Sequence, residues 1–158
     1  MSKRTSSSSF TEQLGASGPH GPALIGALLR MPFETVRARM LQRLHEDGFT
    51  DLQPAHLNVF QWPGPDRATP SELAARLGIS KQALNYLLGE LERLGYLERR
   101  PHPDDLRSKR IAVTRRGMDA IRVIREAVEE VEAEWARQLG TKRFEELRSL
   151  LAELNGPA

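Results

Sequence analysis

The 158 residues include no cysteine. That absence excludes disulfides, thiolate metal ligands, a cysteine nucleophile and thiol-based redox sensing in one step. No apolar run approaches the roughly 18 residues that a membrane-spanning helix needs, and the opening MSKRTSSSSF lacks the apolar centre of a secretory signal. A cytoplasmic protein without membrane contact is the expectation. Net charge is nearly absent too: 23 Lys and Arg stand against 21 Asp and Glu, leaving +2. Any nucleic-acid signal must therefore come from where the charges sit. The four histidines, His20, His45, His56 and His102, are scattered, and no metal-ligand spacing, phosphate loop or nucleophile–base arrangement appears. The sequence thus predicts neither an enzyme nor a metal or cofactor site.

With 39% hydrophobic residues, the chain can fill one well-buried core. Residues 1–20 carry KRTSSSS and GASGPHG, which cannot bury enough apolar surface to offset the entropy of ordering, so they read as a disordered tail before one domain, 21–158. Leu24, Leu28, Met31, Met40, Leu41 and Leu44 follow near-helical spacing, but Pro32 lacks a backbone donor; either a kinked helix or two helices meeting there would result. PAHLNVFQW makes a short apolar helix with Pro54 in its first turn, stopped by PGP. In TPSELAARL, Thr69, Pro70 and Glu72 form a capping box, and Gly78 closes a helix of two turns. Ser80 caps the next, from Lys81 to about Leu94.

After Gly95 the period changes. Leu97, Ile111 and Val113 alternate with polar residues on either side of the charged PHPDDLRSK, which predicts a two-stranded ribbon. From the N-cap Thr114, residues Met118, Ile121, Ile124, Val128, Val131 and Trp135 recur at spacings of 3 and 4, a long amphipathic helix ended by Gly140. Thr141 opens a last helix with Phe144, Leu147, Leu150, Leu151 and Leu154 on one face. The order is mainly α with a two-stranded β-wing. It describes a winged helix-turn-helix over 52–116, flanked by helical segments at 21–50 and 117–158.

The helix after Ser80 has a second face. Leu84, Leu87, Leu88, Leu91 and Leu94 fall within about 120° of one another, and Gln82, Asn85, Tyr86, Gly89 and Arg93 lie opposite, with Lys81 at the start. Gln and Asn can pair with an adenine edge, Lys and Arg can meet guanine or phosphate, and Tyr can reach a phosphate or a thymine methyl. Small Ala83 and Gly89 would ease close approach to a groove, although Gly89 costs about 1 kcal/mol of helix stability against alanine. Between Arg99 and Arg116 stand seven basic and two acidic residues, whereas EAVEEVEAE holds five glutamates and no base. Asp105, two residues before Arg107, can orient that guanidinium for a narrow minor groove.

From about residue 22 to 155 the chain resembles the MarR family of bacterial transcriptional regulators. The resemblance is carried by TPSELAARLGISKQALNYLLGELERLGYLERR and DLRSKRIAVTRRG, where Asp105, Arg107, Thr114 and Gly117 match the family's wing pattern. It implies a triangular homodimer joined through its first and last helices, each half reading one arm of a pseudo-palindromic operator in double-stranded DNA. It maps the recognition helix onto Ser80 to Leu94, with Ser80, Lys81, Gln82, Asn85, Tyr86 and Arg93 toward DNA, and the wing contact onto Asp105, Arg107, Ser108, Lys109 and Arg110. Many members repress until a small aromatic or anionic effector binds; His56 and Trp62, about one and a half helical turns apart on the short second helix, are candidates for lining such a pocket, or else core or surface residues without special chemistry. Tyr86 replaces an arginine common in the family, Val113 replaces a leucine, and Pro32 interrupts the first helix.

The apolar faces of the last two helices support a dimer independently, because they offer more surface than a three-helix winged domain could cover; an intramolecular core that takes up much of it is the alternative. The rival function is a winged helix used only for protein contacts. A basic ribbon beside the open helix face favours DNA.

Overall fold

Polar caps punctuate the chain. The Thr69 hydroxyl accepts the Glu72 N–H at 3.2 Å, and Glu72 Oε2 accepts the Thr69 N–H at 2.8 Å. That backbone bond, joined by one from the Thr69 hydroxyl, holds the Glu72 carboxyl below the usual range. Ser80 and Thr114 cap in the same way, each accepting an N–H from three residues on at 3.1 Å. Gly78, at φ 63°, supplies the left-handed turn that lets the second of two helices start only three residues later.

The computed structural model describes residues 23–61, 64–102 and 109–156. In chain order these form α1 (Ile25–Glu46), α2 (Pro54–Phe60), α3 (Pro70–Leu77), α4 (Lys81–Arg93), β1 (Leu97–Pro101), β2 (Lys109–Val113), α5 (Arg115–Leu139) and α6 (Thr141–Asn155). This is the mainly helical architecture with a two-stranded antiparallel wing that the sequence predicted. Pro32 lies inside α1, so one helix, not two, occupies this stretch. No helix among the described residues is long and apolar enough to cross a membrane. The proposed tail at 1–20 lies outside the described residues.

The described residues divide into two compact units, one up to Thr35 and one from Val36 on. In the first, Leu24, Ile25, Leu28, Leu29 and Phe33 are exposed. In the second, Leu44, Leu52, Leu57, Leu84, Leu88, Leu91, Tyr96, Ile111 and Val123 are fully buried in one core. The helical stripe of α5 is realised with one correction. Ile124 and Val131 are buried, but Met118 is 55% exposed, because Gly117 and Ala120 take the inward positions of the first two turns. On α6 only Phe144 is buried, while Leu147, Leu150 and Leu154 face outward.

β1 and β2 pair from Leu97 opposite Val113 to Pro101 opposite Lys109. The far side of β2 is also occupied: the Arg67 N–H donates to the Ile111 carbonyl at 2.8 Å, the Ile111 N–H to the Ala68 carbonyl at 2.9 Å, and the Val113 N–H to Asp66 Oδ1 at 3.3 Å. An otherwise open strand edge is thereby paired. Where β2 meets α5, the Thr114 N–H donates to the Tyr96 carbonyl at 3.1 Å, and its hydroxyl lies 2.6 Å and 3.0 Å from the Gly95 and Tyr96 carbonyls. Gly117 packs so tightly here that a Cβ would stand 2.2 Å from the Tyr96 carbonyl oxygen.

Tyr96 is the pivot of this region. Its buried hydroxyl donates to Asp51 Oδ1 at 2.5 Å, Arg116 reaches Asp51 Oδ2 at 2.8 Å and the Leu94 carbonyl at 2.7 Å, and the guanidinium stacks 4.4 Å over the tyrosine ring. Burial works against the Asp51 charge. The Tyr96 hydroxyl and the Arg116 guanidinium outweigh it and hold the carboxyl below its usual range. Burial and the neighbouring carboxylate push the Tyr96 hydroxyl far up, so it stays protonated and donating.

Candidate nucleic-acid interface

Short α3, the turn at Gly78–Ile79–Ser80 and α4 put two unlike faces on one helix. Leu84, Leu88 and Leu91 are buried, and Lys81, Gln82, Ala83, Asn85, Tyr86, Gly89 and Arg93 are exposed, Tyr86 to 66%. Ser80 is exposed as well; its oxygen accepts the Ala83 N–H, which leaves its hydroxyl hydrogen to donate outward. The first turn of α4 carries no acid, so nothing offsets the partial positive charge of its N-terminus. The recognition-helix residues expected from the sequence therefore share one open surface.

Gly89 sits in this surface without an internal reason. A Cβ built there meets nothing within 4 Å, unlike the one at Gly117. The packing of the protein itself does not call for glycine at this position.

The ribbon's positive charge is smaller than a count along the chain suggests. Arg99 pairs with Glu92 of α4 at 3.2 Å, Arg100 with Glu98 on its own strand, and Arg116 with Asp51. Two of these carboxylates belong to other elements, and Glu98 sits just ahead of the basic run. Among the described residues, Lys81, Arg93, Lys109 and Arg115 are exposed cations without a carboxylate partner. Arg110 is half-buried, near enough to Glu72 for its charge to lower that carboxyl. Asp105, Arg107 and Ser108 of the expected wing contact lie outside the described residues.

The acidic run on α5 is also compensated. Glu126 and Glu129 pair with Arg122 and Arg125 one turn earlier, Glu130 with Arg43, Glu132 with Arg148, and Glu134 with both terminal nitrogens of Arg39. All five glutamates are engaged, so this helix does not present an open acidic stripe. Each such surface pair is worth only ~0–1 kcal/mol.

His56 is buried, 3% exposed, with both ring nitrogens in use. Nδ1 accepts the Gln53 N–H at 3.1 Å, which places the ring hydrogen on Nε2, where it donates to Glu90 Oε2 at 3.2 Å. The residue ties α2 to α4. Trp62, its expected companion in an effector pocket, lies outside the described residues.

A two-turn helix, a tight turn, an exposed second helix and an edge-paired ribbon define a winged helix-turn-helix protein. The sequence model of the MarR family matches residues 63–108. The transcriptional regulator Tm0710 of Thermotoga maritima is 30% identical, over 82% of this chain and 89% of its own, with a TM-score of 0.55. The chain belongs to the MarR family of transcriptional regulators. MarR of E. coli shares the fold at 22% identity, over 85% of this chain and 98% of its own, with a TM-score of 0.65. So does the transcriptional repressor CouR bound to a 23-mer DNA duplex, at 24% identity, 84% and 92% coverage and a TM-score of 0.64. CouR from Rhodococcus jostii bound to p-coumaroyl-CoA matches at 22% identity, 85% and 93% coverage and 0.64. No curated protein matches the chain by sequence.

Proposed function

We propose that the protein is a homodimeric, sequence-specific DNA-binding regulator, a repressor of a pseudo-palindromic operator released by a small aromatic or anionic ligand. The observation that carries this reading is the exposed face of α4: amide, hydroxyl and cationic side chains, no acid in the first turn, and exposed cations Lys109 and Arg115 in the neighbouring segment. Such a helix enters the major groove with its first turns on the base edges, while the flanking cations meet phosphates. Asp105 and Arg107, with Ser108, Lys109 and Arg110, serve the wing contact. Segment 52–116 is the reading module, and 21–50 with 117–158 form the dimer. Exposed Leu147, Leu150 and Leu154 on α6 provide apolar surface for a two-fold contact that sets recognition helices about 34 Å apart, one turn of DNA. CouR, with structures bound to DNA and to an acyl-coenzyme A, supports the DNA and ligand parts by likeness of fold.

The test is titration of the purified chain with fragments of its own genome over a series of salt concentrations. Log affinity should fall linearly with log salt, by about 0.9 per phosphate contacted, and Arg107→Ala should weaken binding broadly and lower that slope by about one contact. Binding that is absent, or indifferent to salt, overturns the reading and leaves a winged helix used for protein contacts.

A further inference from the structure

Resting on that DNA-binding reading, we infer that α4 reads A·T base pairs, with Gln82 and Asn85 each engaging an adenine edge and Tyr86 lying against a thymine methyl. At 100° per residue, Gln82 and Gly89 fall within about 20° of the line opposite the centre of the leucine face formed by Leu84, Leu87, Leu88, Leu91 and Leu94, and Asn85 and Tyr86 flank that line within about 60°. Lys81 and Ala83 sit about 100° away, at the two rims. The side chains that can reach the groove floor are therefore two amides and a phenol.

The donor and acceptor code of the major groove then leaves one match. Adenine offers an acceptor at N7 beside a donor at N6, which a side-chain amide satisfies with both its atoms. Guanine offers two acceptors, N7 and O6, so an amide bound there leaves its own carbonyl oxygen facing another oxygen. Reading guanine takes a double donor, arginine or lysine; Lys81 stands at the rim, about 100° from this line, and Arg93 is the one on it. It lies eleven residues beyond Gln82, about 16 Å along the axis, farther than the major groove is wide at about 12 Å, so it falls on the phosphate backbone. Cytosine is read by a carboxylate that accepts from N4. The two acids nearest the face are engaged elsewhere, Glu90 by His56 and Glu92 by Arg99. Gln82 and Asn85 stand about 4.5 Å apart along the axis, close to the roughly 3.4 Å between stacked bases, so they address neighbouring pairs.

The experiment selects bound duplexes from a random pool with the full chain, then replaces single bases in the selected half-site. Replacing adenine by 7-deazaadenine removes N7 and keeps pairing, and it should weaken binding roughly 2- to 10-fold at two adjacent or near-adjacent positions. Gln82→Ala and Asn85→Ala should each weaken binding on the order of 5- to 150-fold and abolish the 7-deazaadenine penalty at one of those positions, with no loss of melting temperature. Uracil in place of the contacted thymine should weaken the native protein but not Tyr86→Ala. A penalty from 7-deazaguanine in place of one from 7-deazaadenine overturns the inference while leaving DNA binding intact, the more so if Arg93→Ala removes it. An adenine penalty that survives both amide substitutions overturns it equally. Failure to select any duplex sinks the DNA-binding reading itself.

Discussion

Replacing Gly89 by alanine should make this protein more stable and a poorer DNA binder. The residue is ninth of thirteen in α4, its backbone is ordinary helix, and a Cβ there meets nothing within 4 Å. With no clash to offset it, alanine gains the full propensity difference of about 1 kcal/mol. For a chain of this size that raises the melting temperature by about 3 °C. The same methyl lies within about 20° of the line through Gln82, where it meets the DNA first and holds the helix away from the base edges. Side-chain amides at Gln82 and Asn85 each carry about 1–3 kcal/mol of discrimination, and a lengthened approach weakens both, so affinity should fall roughly tenfold. Thermal denaturation measures one arm, and fluorescence anisotropy with a selected duplex at fixed salt measures the other. A lower melting temperature would mean that the fold needs this glycine. Unchanged affinity would mean that this face does not lie against the groove floor.

Other substitutions probe the scaffold. Gly117→Ala places a methyl 2.2 Å from the Tyr96 carbonyl oxygen, a backbone atom that cannot swing aside, and should destabilise the protein by roughly 3 kcal/mol in urea denaturation; a loss under ~1 kcal/mol refutes the packing described for this joint. Tyr96→Phe removes the donor to Asp51 and should cost about 1.5–3 kcal/mol at neutral pH. Because the Asp51 carboxyl titrates below its ordinary 3.8 when folded, its contribution is complete above that pH and is lost as the pH falls through the folded value. Asp51→Asn should therefore flatten the acid side of the stability profile, and an unchanged acid limb would contradict this. Leu150→Arg puts a charge on the exposed face of α6 and should shift the proposed dimer toward monomer in light scattering; an undisturbed mass contradicts a dimer contact through this face.

The parts of this fold legible in the sequence are those settled within a few residues. Thr69 with Glu72, Ser80 and Thr114 cap their helices as their spacing indicates, and the alternation of Leu97, Ile111 and Val113 marks the ribbon. What could not be read depends on distant partners. Arg99 and Arg116 look like free cations along the chain but face Glu92 and Asp51 across it. The pairing of Arg67 and Ala68 with Ile111 joins segments more than forty residues apart, and no local pattern announces it. Met118 matches the helical period but loses its inward place to Gly117, whose necessity comes from the Tyr96 carbonyl. Pro32 removes one bond from the ladder of α1, and whether the turns on either side continue is decided by more than the proline itself. At the site, the open face of α4 follows directly from helical periodicity. The engagement of both nitrogens of His56 does not, because Gln53 and Glu90 approach it from two different elements.

Between the ribbon and the long helix lies a single residue, Thr114, fastened to the Gly95 and Tyr96 carbonyls and to the Gly117 amide. A link that short and so fully tied has no slack. That geometry joins β2 and α5 as two arms of one rigid corner at Thr114, and the 25 residues of α5 make an arm of about 37 Å. A tilt imposed on the far end near Leu139 would therefore carry β2 along with it, because the tie at Thr114 leaves no free residue in between to absorb it.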